Sequence, residues 1–213
     1  MSAAWIEELA RPPFREPEGS EARERERLRR LALRAFEQSL PPLYRWARLD
    51  SPLLTKRVNL AIPGALPTAR SVVFIGPPSI GKTSLAVAML RARLERELTR
   101  TTPESDDDAE RIARRYRFGH AYRLGVARLG GPEGAVELQA AIRTPVLVLD
   151  NLGAEPAIPS NAIPEVLIER HAEERVIWIT TELEPRAIAE RYGGGIARRI
   201  FENGHVFRLG GAA

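Results

Sequence analysis

An α/β fold, a parallel sheet with helices on both faces, is predicted for this chain by three observations. Three apolar runs, Val72-Val73-Phe74-Ile75, Val146-Leu147-Val148-Leu149 and Val176-Ile177-Trp178-Ile179, have the length and unbroken apolarity of strands buried on both sides. Segments with helical spacing alternate with them, as the crossovers of a parallel sheet require. The first strand also runs straight into a glycine-containing turn that opens a helix, Gly76-Pro77-Pro78-Ser79-Ile80-Gly81-Lys82-Thr83.

From the N-terminus, residues 1–20 hold Pro12, Pro13, Pro17 and Gly19 among mixed charges and read as a loose lead-in that stops any helix begun at Trp5. Glu21 to Gln38 reads as a helix. Leu28, Leu31, Ala32, Ala35 and Phe36 recur at three- and four-residue spacing, with Glu and Arg around them. Pro41-Pro42 ends it, and Leu40 to Val58 reads as a connector whose Tyr44, Trp46 and Leu49 can pack on the domain C-terminal to it. A boundary is therefore placed near residue 40, between a helical N-terminal segment (1–40) and the α/β domain (41–213). Beyond the turn, Thr83 to Arg100 reads as a helix and Thr101 to Asp108 as a polar break. Arg117 to Tyr122 is a candidate strand, Gly130 to Gly134 a loop, and Val136 to Ile142 a helix. Pro164 to Glu174 and Pro185 to Tyr192 are the last helices expected.

Bulk composition narrows the function classes. At 213 residues there is room for one α/β core and a short extra segment. No stretch reaches the roughly 18–20 apolar residues of a membrane span, and no secretory signal is visible at the N-terminus. The absence of cysteine removes disulfides, thiol catalysis and cysteine-bound zinc, and fits a cytoplasmic location. The formal charge of +4 is compatible with a polyanionic partner, and equally with a chain merely rich in arginine. Its bases are more telling. Lysine occurs at only two positions, Lys56 and Lys82, and one of them sits inside the glycine-containing turn. There a flexible point charge suits a phosphate better than a planar guanidinium does.

The turn matches G-x-x-x-x-G-K-[ST] in full, between a β-branched strand and a helix, which is the context a phosphate-binding P-loop requires. Its glycines let successive N–H groups curl toward phosphate oxygens, and the helix adds its positive end. The cradle expected for ATP is Gly76, Pro77, Pro78, Ser79, Ile80, Gly81, Lys82, Thr83 and Ser84, with Lys82 on the terminal phosphates and Thr83 on Mg2+. Asp150, ending the second apolar strand, is the expected second magnesium ligand, although an Asp there also serves as a turn or capping residue. Asn151 comes next. An amide can orient a water but cannot take its proton, so Glu155 is nominated as a substitute carboxylate, with a solvated loop charge as the alternative. Thr181, in Thr180-Thr181-Glu182 after the third strand, can touch the reacting phosphate or be a plain turn residue. Arg199, in Tyr192-Gly193-Gly194-Gly195-Ile196-Ala197-Arg198-Arg199, can act as an arginine finger on a neighbouring subunit's nucleotide or be one of many surface arginines.

Taken together, GPPSIGKTSLAVAM, VLVLDNLGAE, WITTELEP and AERYGGGIARRIFE resemble the AAA+ helicase-loader family of bacterial replication, the DnaC and DnaI group. The IstB-type ATPases of transposition are similar too. The resemblance spans about Leu40 to Leu209 and implies an AAA+/ASCE P-loop ATPase domain. In it Lys82 and Thr83 form the Walker A pair, Asp150 is the Walker B acid and Arg199 is the arginine finger. Two positions depart from the family pattern: Asn151 stands where Asp or Glu is usual, and Glu182 where a sensor Asn is common. The resemblance further implies ATP and Mg2+ as cofactors, assembly into homo-oligomeric rings or spirals, and single-stranded DNA along the inner surface. Arg114, Arg115, Arg117 and Arg123 are candidates for that DNA contact, and the N-terminal segment for gripping a replicative helicase or transposase-like protein. The leading reading is thus an ATP-dependent loader or remodeller; the alternative is a nucleotide-gated regulatory module with little turnover. A small-molecule kinase would need an acceptor site that the sequence does not offer.

Overall fold

The computed structural model describes residues 18–58, 69–156, 161–202 and 204–210; most of the lead-in, with Trp5, lies outside them. Helix α1 (Glu18–Ser39) is followed by a single 3-10 turn (Pro42–Tyr44) and a short α2 (Pro52–Val58). Then come β1 (Ser71–Ile75), α3 (Lys82–Arg100), α4 (Asp106–Ala113), β2 (Tyr116–His120), α5 (Ala121–Val126), α6 (Gly131–Arg143) and β3 (Val146–Leu152). The chain continues through α7 (Ala162–Ala172), β4 (Val176–Thr181), α8 (Pro185–Tyr192), α9 (Gly194–Phe201) and β5 (His205–Arg208).

The five strands form one parallel sheet in the order β2-β3-β4-β1-β5, as the apolar runs predict. Alternate side chains of a strand face opposite sides, so each run feeds two cores. Val72, Phe74, Val146, Val148 and Trp178 pack under α1, α3 and α4; Val73, Ile75, Leu147, Leu149 and Ile179 pack under α5 to α9. Helix α1 places Ala32 and Phe36 in the first of these cores, so its apolar stripe is continuous with the sheet's packing.

Two fully buried arginines tie the layers. Arg91 on α3 pairs with Glu37 of α1 and donates to the Arg45 and Ala47 carbonyls of the connector. Arg170 on α7 donates to the carbonyls of Ala141, Ile142, Thr144, Pro145 and Val176, where α6 ends and β3 and β4 begin. Burial pushes its pKa down to about 9, still high enough to keep the charge at neutral pH.

Several segments differ from the sequence expectation, each for a local reason. Helix α4 begins inside the polar break, capped by Ser105, whose hydroxyl accepts the Asp108 N–H at 3.2 Å, with three aspartates in the first turn. The expected loop at Gly130–Gly134 is already the start of α6, with Pro132 at a first-turn position that suits it. Gly134 is small because a Cβ there would stand 1.7 Å from the Ala127 carbonyl oxygen. The triple glycine opens α9, which buries Ile196, Ala197 and Ile200. The strand expected over Arg117–Tyr122 stops at His120, and β5 is an edge strand of four residues too short and too exposed to show apolar patterning.

Candidate nucleotide site

Parallel strands end on the same edge, and that edge gathers the residues nominated from sequence. The loop leaves β1 at Gly76, whose N–H donates to the Thr181 carbonyl at 3.3 Å. A Cβ on Gly76 would lie 2.4 Å from the Leu209 carbonyl oxygen, so only glycine fits between loop and β5. Ser79 (φ 63) and Gly81 (φ 99) take left-handed backbone conformations, which turn the loop back into α3. The first N–H groups of any helix lack partners inside it, and those of α3 open into this turn.

Lys82, only 7% exposed, donates from its ammonium to the Gly76 and Pro77 carbonyls, both at 2.7 Å. Burial lowers its pKa, against the nearby carboxylates of Glu182 and Asp150, which raise it. Thr83 donates to Asp150 Oδ1 at 2.7 Å. Asp150, itself buried, also accepts Thr180 Oγ1 at 2.7 Å and faces His120 Nδ1 at 3.0 Å. The pairing is set by strand register, since His120 lies opposite Asp150 across β2 and β3. Tyr44 of the connector reaches Thr83 with its hydroxyl; burial and the Asp150 charge raise its pKa. Its ring lies 5.8 Å from that of Phe118, which meets His120 edge-on at 5.0 Å.

Thr181 and Glu155 sit otherwise than the sequence suggests, and Arg199 lies away from this edge. Thr181 turns away from the acid: its hydroxyl donates to the Leu152 carbonyl at 2.7 Å and accepts the Leu183 N–H at 3.0 Å. Thr180 takes the contact instead, because neighbours on a strand face opposite sides. Glu155 is a tie rather than a free base. Its carboxylate pairs with Arg191 at 3.0 Å, accepts the Tyr192 hydroxyl and takes the Gly153 N–H at 3.0 Å, so the tyrosine before the glycine run anchors the loop after β3. Arg199 lies beside Ser71 and Ile177, where β1 and β4 begin, at the sheet edge opposite the loop.

Asn151 forms an irregularity in β3 with φ 58, its N–H donating to Thr180 Oγ1 at 2.8 Å and its side chain exposed. Asparagine is among the few residues that tolerate this backbone, which accounts physically for an amide here. Asn151→Gly is accordingly expected to leave stability unchanged, and Asn151→Val to cost about 1–2 kcal/mol, measured by urea unfolding.

The donors fit a magnesium nucleotide: an ammonium inside the loop, and a hydroxyl and a carboxylate in contact beside it. Among the described residues no three His, Asp or Glu side chains converge to hold a metal alone, so magnesium at this site would share its shell with phosphate and water. Of the arginines nominated for DNA, Arg114, Arg117 and Arg123 line a broad groove of about 960 Å³ beside the edge strand β2. Arg114 pairs with Glu110, Arg123 with Glu137 and, away from the groove, Arg115 with Glu97.

No protein-family model matches this chain, and no curated protein matches it in sequence. Solved structures do. The DnaC helicase loader superposes with a TM-score of 0.51 at 21% identity, covering 79% of this chain and 99% of its own. DnaI gives a TM-score of 0.54 at 18% identity, covering 80% and 94%. The chain shares the fold of these two structures. A candidate primosome component from Streptococcus pyogenes serotype M3 is similar as well, with a TM-score of 0.51 at 18% identity over 84% of this chain and 96% of that one. The resemblance read from the motifs therefore holds at the level of fold. His120 and Tyr44 escaped the sequence reading, and Thr180 was read only within Thr180-Thr181-Glu182, from which Thr181 was nominated. His120 and Thr180 end or nearly end parallel strands, and that position alone was the available signal.

Proposed function

We propose that this chain is an ATP-gated assembly protein of the loader type. ATP and magnesium bind at Gly76–Ser84, binding drives self-association, and the assembly engages single-stranded DNA and loads or remodels a DNA-bound partner, a replicative helicase or a transposase-like protein, in the cytoplasm. The observation that carries this reading is the Thr83–Asp150 contact of 2.7 Å beside the buried Lys82 ammonium. Lys82 would hold the terminal phosphates, and Thr83 and Asp150 the metal, once Asp150 exchanges its hydroxyl partners for it. Bound magnesium would neutralise phosphate charge; the chain's own groups position it and exclude water. The fold shared with helicase loaders supports the partner class. Among the described residues, no helix is long and apolar enough to cross a membrane. Arg199, at the far edge of the sheet, would meet only another copy's nucleotide, which is how an arginine finger acts in trans. The segment 1–40 is the proposed grip on the partner, and Arg114, Arg117 and Arg123 the proposed contact with DNA.

One observation favours a second reading, a regulatory module that binds ATP with little turnover: Asn151 lacks a carboxylate and Glu155 is already committed. ATP turnover with and without single-stranded DNA, beside Lys82→Ala as the blank, separates the two. Turnover above the blank and raised by DNA supports the loader; tight ATP binding with no turnover in either condition supports the module and removes the fuel role.

A further inference from the structure

The edge of the sheet opposite the glycine-rich loop carries a small pocket, of about 50 Å³, whose polar lining is Arg70, Ser71, His171, Arg175 and Arg199, with three aliphatic side chains completing the wall. Three guanidinium groups and an imidazole meet there, and no carboxylate is among the lining side chains. The register of the sheet brings them together. Ser71 and Ile177 pair across the starts of β1 and β4, Arg70 and Arg175 immediately precede those strands, and His171 and Arg199 lie in the last turns of α7 and α9.

The partners these bases already have leave donors over. Arg70 pairs with Glu174 at 3.3 Å and Arg175 with Glu173 at 3.8 Å, but both carboxylates lie outside the lining and are largely exposed, where ion pairs hold weakly. Arg175 also gives one N–H to the Ile142 carbonyl, and Arg199 one to Gly195 of its own helix. A guanidinium has five donors, so each keeps several. The Ser71 hydroxyl is buried and has no hydrogen-bond partner, which is uncommon for a native polar group.

We propose that this pocket is a second oxyanion site and takes a phosphate group. Its size suits one tetrahedral anion, guanidinium forks match phosphate oxygens, and a dianion answers three positive charges better than a lone carboxylate does. The phosphate is either free or the terminal phosphate of a nucleotide held by a second copy of this chain; the latter source rests on the function proposed above.

Inorganic phosphate titrated into the full chain carrying Lys82→Ala, which takes the loop out of competition, tests the site through the backbone amide resonances of Ser71 and Ile177. Saturable shifts are expected, weakened about tenfold or more by Arg70→Gln with Arg175→Gln, at an unchanged melting temperature. Ser71→Ala, which removes a hydroxyl that holds nothing else, is expected to weaken binding severalfold without unfolding the chain. No saturable shift at Ser71, or equal affinity in the double variant, overturns the proposal. The source is decided by ATP-dependent self-association of the otherwise native chain, measured by sedimentation. Loss in the double variant at unchanged ATP affinity assigns the phosphate to a second copy. Unchanged association beside a positive titration assigns it to free phosphate. If ATP does not bind at all, the function proposed above fails, while the phosphate titration still decides the pocket.

Discussion

Lys82→Ala is expected to lower ATP affinity by about 100-fold or more, measured by calorimetry in the presence of magnesium. The size comes from removing a buried ammonium at its phosphates, where charge-assisted hydrogen bonds contribute about 1.5–3 kcal/mol each and every 1.4 kcal/mol is tenfold. Lys82 is placed for this by the loop itself. It is 7% exposed, lies inside the turn and is held by two loop carbonyls at 2.7 Å, which the phosphates would replace as partners. Lys82→Arg is expected to restore little, because a guanidinium fork is wider than the space an ammonium fills between Gly76 and Pro77. Unchanged affinity in Lys82→Ala would remove the nucleotide reading altogether.

The largest effect on stability is expected at a residue far from the loop. Arg170→Met preserves much of the volume but leaves the carbonyls of Ala141, Ile142, Thr144, Pro145 and Val176 without their shared donor in the interior. Unsatisfied buried acceptors cost about 1–3 kcal/mol each in isolation, and two of these keep another donor, Pro145 the Val176 N–H and Ile142 the Arg175 guanidinium, so a net loss of about 3–5 kcal/mol is expected. In a chain of this size that lowers the melting temperature by roughly 6–20 °C. Urea unfolding of the variant beside the parent measures it directly. A loss below about 1 kcal/mol would mean that the carbonyls find water or that the junction of α6, β3 and β4 is held by packing alone.

The legibility of this protein was uneven in a way that physics explains. The three central strands and the loop were readable because burial on both faces demands unbroken apolar runs, and because phosphate binding demands glycine and lysine at set spacing. Helix α4, the early start of α6, the helix in the glycine run and strand β5 were not. Their residues are polar, small or few, and each is held by a cap or by a neighbour distant in sequence rather than by its own periodicity. Glu155 shows the same limit at the site. A carboxylate four residues after Asn151 reads as a spare base until the fold brings Arg191 and Tyr192 onto it.

By itself, the sequence determined the alternation of strand and helix, the glycine-rich loop and the acid that follows the aliphatic run of β3, since each is written in contiguous residues. Only the tertiary structure decided which hydroxyl faces that acid, that His120 and Tyr44 join it, and that three arginines converge on the opposite edge. Those outcomes depend on strand order and register. Residues distant in the chain become neighbours there, and no local pattern encodes the meeting.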